Sequence, residues 1–240
     1  FAVLEPLVMA ISARALFDME KENAVFEEYG LKAYREYQSD NENQMLSSGT
    51  AFHLVSGLLQ FNEMAEEGEE KLVKVIIMSN NSPDLSLRIF KSIEHYDLDI
   101  NQAVFSSGAP LHSYFSSFNV DLFLSRSEAE VSAAINNGIA AAVLYSPPQG
   151  FSPHKDEVRI AFDGDAVLFS EEAEKIYKEH GLDAFIAHER LKAKQPLPAG
   201  PFAKLLKTLP QLQKRKGIGR QKLQLALVTA RDNATHERVI

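Results

Sequence analysis

Part of this chain is written twice, and that limits its fold more than any other feature. Ser12–Tyr37 (SARALFDMEKENAVFEEYGLKAYREY) aligns on Asp163–His188 (DGDAVLFSEEAEKIYKEHGLDAFIAH) at an offset of 151. Ala15 meets Ala166, Glu20 meets Glu171, Phe26 meets Tyr177, Glu28 meets Glu179 and Gly30-Leu31 meets Gly181-Leu182. The register continues without a gap through Gln44/Gln195, Leu46/Leu197, Gly49/Gly200 and Leu58/Leu209. After one loop the offset becomes 150, and VIIMSNNSPDLSLRIF (Val75–Phe90) lies on LALVTARDNATHERVI (Leu225–Ile240). Chance matches of Leu, Ala and Glu in helices are common, but they do not hold one register this long with two glycines in step. The chain therefore reads as two copies of one supersecondary unit.

Each copy alternates strands and helices. In the first, Leu7–Ser12, Val73–Ser79, Ala103–Ser107, Val120–Ser125 and Ile139–Tyr145 read as strands. Glu20–Tyr29 reads as a helix ended by Gly30, and Thr50–Asn62 as a second. Ser82, with Pro83 behind it, caps a helix running to about His95. Ser127 and Glu130 have the spacing of a capping box for a helix that stops at Gly138. Residues 146–157, SPPQGFSPHKDE, have linker composition. The pattern then restarts with strand Val158–Asp163, helices Glu171–His180, Asp183–Leu191 and Phe202–Gln213, the loop Lys214–Lys222 and strand Leu223–Thr229. Such alternation predicts an α/β fold: two tandem units, each a parallel sheet covered by helices. The expected boundaries are 1–145 for the first unit, 146–157 for the linker and 158–240 for the second, with a small helical cap insert at about 171–191. The chain opens on Phe1 and stops at HERVI (His236–Ile240) as a helix begins, so the second unit is expected to be truncated.

Composition narrows the function classes. A net charge of -8 argues against a general nucleic-acid binder, which needs a basic face for the phosphates. The absence of cysteine removes disulfides, thiolate zinc sites and thiol nucleophiles, and fits a cytoplasmic protein. No apolar run approaches the ~20 residues of a membrane helix, and FAVLEPLVMAISARALF has no basic n-region of a signal peptide.

Asp163-Gly164-Asp165 closes the strand VRIAFD. One reading is a turn, since Gly and Asp tolerate unusual backbone angles. The other is chemistry. The carboxyl end of a parallel strand borders the crevice where α/β sheets take ligands. Paired carboxylates there suit phosphoryl transfer, one as nucleophile and one moving protons, with a divalent cation offsetting their charge. An EF-hand calcium loop fails, because Val167 and Leu168 stand where it needs an oxygen ligand and a glycine.

Asp163-Gly164-Asp165-Ala166-Val167 resembles the DxDx[TV] first motif of the haloacid dehalogenase superfamily. LALVTAR (Leu225–Arg231) resembles its second, an apolar strand ending in Ser or Thr. ISARALFDME, SNNSPDLSLRIFKSIEHYDLDI, FNVDLFLS, GIAAAV and RIAFDGDAVLFSEEAEKIYKEHGL, in that order, are similar to the cytosolic type I 5′-nucleotidases over nearly the whole chain. The resemblance implies Rossmann-like units of the haloacid dehalogenase type and a magnesium-dependent 5′-nucleotidase acting on nucleoside 5′-monophosphates through an aspartyl-phosphate. Asp163 would then be the nucleophile. Asp165 would protonate the leaving 5′-oxygen and activate the water. Thr229 and the backbone N–H of Ala230 would bind the phosphate. Mg²⁺ would be held by the Asp163 carboxylate and the Asp165 carbonyl. The third-motif cation and fourth-motif acids of the family are expected beyond Ile240, which predicts low activity for this length of chain.

At the corresponding positions the first copy carries Ser12 and Arg14. Serine there does not replace an aspartyl nucleophile, and Arg does not shuttle protons. The first copy is therefore expected not to hydrolyse phosphate esters. Either it is a packing partner for the second copy, or Arg14, Ser79, Asn80 and Asn81 line a crevice that still binds an anion or nucleotide. The seven histidines show no metal-ligand spacing. QKRKGIGRQK (Gln213–Lys222) reads as a solvated loop. Tyr177, Phe185 and His188 of the insert either pack a core or meet a base. Two alternatives stay open beside the nucleotidase: a phosphatase of the same type acting on a sugar phosphate or another small metabolite, and a non-catalytic nucleotide-binding protein. Homo-oligomerisation is also open.

Overall fold

The computed structural model describes residues 5–81, 83, 86–147, 150, 152, 157–163, 179–180 and 201–228. Strand β1 (Leu7–Ile11) leads into a single helical turn, α1 (Ala13–Leu16). A short antiparallel ribbon, β2 (Phe17–Asp18) with β3 (Ser47–Ser48), brackets the long helix α2 (Glu20–Asp40). Helix α3 (Phe52–Leu59) and a 3-10 turn (Gln60–Met64) return the chain to β4 (Val73–Ser79). There follow α4 (Leu87–His95), β5 (Gln102–Phe105), α5 (His112–Phe115), β6 (Leu122–Ser125), α6 (Glu128–Asn136) and β7 (Ala141–Val143). The second copy contributes β8 (Val158–Asp163), α7 (Ala203–Gln213), α8 (Gly219–Lys222) and β9 (Leu223–Val228).

Five strands form one parallel sheet in the order β5-β4-β1-β6-β7. The near-continuous apolar runs LVMAI and VKVIIMS suit its two central strands, because helices cover a parallel sheet on both faces. Alternation along β1 sends Leu7, Met9 and Ile11 into one buried cluster and Val8 and Ala10 into the other. From β1 the chain moves to β4 on one side, and after β5 it returns to β6 on the other. Strand order therefore reverses beside β1, which opens a crevice at the carboxyl ends of β1, β4 and β6.

β8 and β9 also pair in parallel, and their register is that of β1 and β4 carried across the repeat. Leu7 lies beside Val73 and Ile11 beside Ile77. Val158 lies beside Leu223 and Phe162 beside Leu227, the same partners displaced by 151 and 150. Helix α7 begins at Ala203, which aligns on Phe52, the first residue of α3. Leu205, Leu209 and Leu212 of α7, with Val158 and Leu223, complete the cluster that holds Leu7, Met9 and Ile11. Gly57 of α3 is tight against this layer, for a Cβ there would stand 2.9 Å from Val158 Cγ2. Lys204 of α7 donates to the Asn119 carbonyl and Oδ1 at 2.6 and 2.8 Å. Its ammonium also stands 3.0 Å from Oδ1 of the buried Asp121. That oxygen makes no well-directed hydrogen bond and takes only the charge, whereas Oδ2 accepts from Val8 N–H at 2.7 Å.

Several helix ends differ from the sequence expectation. Gly30 does break helical geometry (φ 78°, ψ −174°), but helix resumes at once and runs to Asp40. The glycine is thus a kink in a backbone region that only glycine enters readily. Helix α4 starts at Leu87 rather than beside Pro83. The backbone ahead of it is engaged otherwise: the Pro83 carbonyl accepts from Ser86 N–H and Oγ, and the Asn80 and Asn81 carbonyls accept from the N–H groups of Gly108 and Ser107. Ser82 lies outside the described residues. The capping box at α6 is half formed: Ser127 Oγ accepts from Glu130 N–H at 3.4 Å, but the Glu130 carboxylate turns away to the crevice. The Lys214–Lys222 loop ends in the turn of α8. Most of the 146–157 linker and all of the 171–191 insert except Glu179 and His180 lie outside the described residues.

Candidate functional site

Asp163 is the last residue of β8 and is exposed, with Val228 beside it on β9. Residue 229 follows directly. Asp165, Thr229 and Ala230 lie outside the described residues, as do Tyr177, Phe185 and His188. Among the described residues there is no group of three metal-ligating side chains and no helix long and apolar enough to cross a membrane.

Arg14, Ser79, Asn80 and Asn81 come together around one crevice of about 610 Å³, at the strand-order reversal of the five-stranded sheet. Ser12 follows β1 at its floor. The residue is 7% exposed, and its Oγ has no hydrogen-bond partner among the described residues. It precedes α1 at the N-cap position, yet its side chain makes no capping bond. A buried hydroxyl left unpaired costs about 1–3 kcal/mol. Ser79 Oγ, at the end of β4, accepts from Asn81 N–H at 3.2 Å.

The walls are tied by buried polar groups. Glu22 and Arg88, 4% and 7% exposed, pair at 2.6 Å. Arg88 also donates to Gln38 Oε1 at 3.2 Å and to the Gln44 carbonyl at 2.7 Å. Gln38 in turn donates to the Tyr34 hydroxyl at 3.0 Å, and Asn81 Nδ2 donates to that hydroxyl at 3.2 Å. Tyr34 thus accepts twice and keeps its own proton to give. Burial raises its pKa, so the phenol stays protonated. Phe26 packs edge-on against Tyr34 with ring centroids 5.9 Å apart.

Arg14 donates Nε and Nη2 to Glu20 at 2.9 and 2.7 Å, and Arg126 Nε approaches the same carboxylate at 3.4 Å. Donating to Glu20 raises the Arg14 pKa against the opposing effect of burial, and accepting from Arg14 lowers that of Glu20. On the far wall Glu130 accepts from Asn80 Nδ2 and from Ser125 Oγ, each at 2.6 Å. Burial pushes its pKa up, against the effect of these two donors.

The described geometry can be set beside known proteins. The family model for 5′-nucleotidase matches residues 2–240. Human cytosolic 5′-nucleotidase 1B is 34% identical over 236 residues, covering 95% of this chain and 39% of that protein. The chain belongs to the 5′-nucleotidase family. It spans well under half the length of that relative. No solved structure matches it.

For this 5′-nucleotidase-family chain, the crevice residues that the sequence did not single out include Tyr34, Arg126 and Glu130. Arg126 had a signal, because it directly follows the last residue of β6, at the carboxyl end of a parallel strand. Glu130 had none, since its spacing from Ser127 reads equally well as a cap. Tyr34 lines the crevice from the part of α2 that follows the kink at Gly30.

Proposed function

We propose that the protein is a magnesium-dependent 5′-nucleotidase that hydrolyses nucleoside 5′-monophosphates to nucleoside and phosphate, with Asp163 as nucleophile. The carrying observation is Asp163 itself, an exposed carboxylate ending a parallel strand in a chain that matches the 5′-nucleotidase model over residues 2–240. An Asp163 oxygen forms a bond to phosphorus as the P–O5′ bond breaks, and the Asp165 carboxyl gives its proton to the leaving oxygen. Asp165, now a carboxylate, takes a proton from water. The water oxygen bonds to phosphorus, the bond to Asp163 breaks, and inorganic phosphate leaves. Thr229 and the Ala230 N–H hold the phosphoryl oxygens.

An exposed carboxylate at a strand end is a hard oxygen donor and fits a divalent cation. Mg²⁺ held by the Asp163 carboxylate and the Asp165 carbonyl would offset the charge shared by nucleophile and phosphoryl group. The reading also takes the chain as two units, 1–145 and 158–240, joined by 146–157. The common register of β1/β4 and β8/β9 supports that division. The relative's name supports a cytosolic setting.

The test is phosphate release by the full-length protein with Mg²⁺, across nucleoside monophosphates and sugar phosphates, beside Asp163→Asn. Release from nucleoside monophosphates that the variant loses is expected. Release only from sugar phosphates would sink the nucleotide reading, and none above the variant on any substrate would sink the enzyme.

A further inference from the structure

We propose that the crevice of the first copy is a second, non-hydrolytic ligand site, which holds a nucleoside monophosphate without a divalent cation. The ligand class rests on the 5′-nucleotidase reading above; the existence of the site rests on the crevice alone.

Among the described residues, several donors around the crevice lack an acceptor. Ser12 Oγ is buried and unpartnered. The hydroxyls of Ser79 and Tyr34 accept hydrogen bonds, and among the described residues neither has an acceptor for its own proton. Arg14 uses two of a guanidinium's five N–H donors on Glu20. Hydroxyl and guanidinium donors converging on one space call for an acceptor-rich group, and a phosphoryl group supplies three oxygens. Glu130 opposes an anion on the far wall, but its two oxygens are covered by Asn80 and Ser125. Glu22 also faces the crevice, neutralised by Arg88.

Helix α2 also brings apolar side chains to the crevice, beside Asn23 and Arg35. Phe26 and Leu31 of α2 line the crevice and stay 48% and 50% exposed. A flat, largely apolar group such as a base covers them. The space, about 610 Å³, lies within the range of small-ligand pockets. The repeat explains why no cation is needed. Asp163 and Asp165 of the second copy are replaced here by Ser12 and Arg14, so neutral and positive donors stand where two carboxylates would otherwise require a metal. The same replacement removes the nucleophile, and the bound ester persists.

The experiment measures binding of AMP in EDTA by calorimetry, with inorganic phosphate and adenosine as separate arms, and locates it by hydrogen–deuterium exchange. AMP is expected to bind at least about tenfold more tightly than either part. Exchange protection is expected at residues 12–16 and 79–81. Ser12→Asp sets a carboxylate against the phosphoryl group and should weaken AMP about tenfold or more. Arg14→Gln changes a half-exposed side chain, keeps the fold testable if a buried aspartate does not, and should weaken AMP about fivefold or more. Protection confined to 158–163, no binding in EDTA, phosphate binding as tightly as AMP, or AMP affinity unchanged in Arg14→Gln would each overturn the proposal. Phosphate release is read separately, so loss of the nucleotidase reading and loss of this site are distinguishable.

Discussion

β1 and β8 align in the sequence repeat and end in different residues. Each pairs with its next strand in the same register, Leu7 with Val73 and Val158 with Leu223. Ser12 then follows β1, where Asp163 ends β8. Every residue of β1 is buried, whereas β8 alternates and finishes exposed. Pairing thus follows the apolar pattern within the strands, and the residue at the carboxyl end is free to differ. If the proposed role of Asp163 holds, scaffold and chemistry are separable at this one position.

The sharpest way to break the comparison is Asp163→Ser, which writes the first copy's residue into the second. Turnover of a nucleoside monophosphate by the full-length protein should fall about a thousandfold or more. Its unfolding midpoint should scarcely move, because Asp163 is exposed. A stability loss matching the activity loss would make the carboxylate structural after all.

Next in size is a feature of the first copy alone. Arg88 neutralises Glu22 inside the protein, whereas the position aligned with Glu22 in the second copy is Ala173. Arg88→Met leaves that carboxylate buried and unpaired, which should cost about 3–5 kcal/mol in denaturant titration. Adding Glu22→Leu should restore most of it. Failure of that rescue would mean that Arg88 acts mainly through its bonds to Gln38 and Gln44.

Gly49 tests what the copies share. A Cβ there would stand 2.7 Å from the Phe17 carbonyl carbon and 2.8 Å from the Ala15 oxygen. The close approach is set by Gly49 N–H donating to the Leu16 carbonyl at 2.8 Å and Ala51 N–H to that of Ala15 at 3.0 Å. Gly49→Ala should cost about 1–3 kcal/mol through backbone that cannot give way. The aligned Gly200 should be as intolerant, as read by the midpoint of Gly200→Ala.

The smallest effect is at Glu130. Burial raises its pKa, so the folded state holds that proton more tightly than the unfolded one. The group's contribution is therefore greatest below the ordinary value of 4.5 and is lost as pH rises towards the folded value. Glu130→Gln should flatten the fall in melting temperature above about pH 4.5 and leave the protein no less stable at neutral pH. A steeper fall in the variant would show that the carboxylate is stabilised by charge instead.

The five-stranded sheet was largely legible, because strands buried on both faces are written as unbroken apolar runs. Helix ends were less so. The start of α4 depends on where the Asn80 and Asn81 carbonyls bond, and the cap of α6 on where the Glu130 carboxylate turns. Arg14, Ser79, Asn80 and Asn81 could be found by asking what stands at the carboxyl ends of strands. Tyr34 could not, because it sits within a helix, beyond the non-helical Gly30. Of the expected catalytic set, only Asp163 lies among the described residues.

By itself the sequence determined the repeat, the strand pattern and the exchange of Asp-Gly-Asp for Ser-Ala-Arg, because these depend on residue identity and short-range periodicity. Tertiary structure alone decided that Ser12 keeps an unpartnered hydroxyl, that Arg14 and Arg126 share Glu20, and that Glu22 lies buried against Arg88. Those outcomes are set by which polar groups remain to satisfy one another once the core has closed, over separations no local pattern encodes.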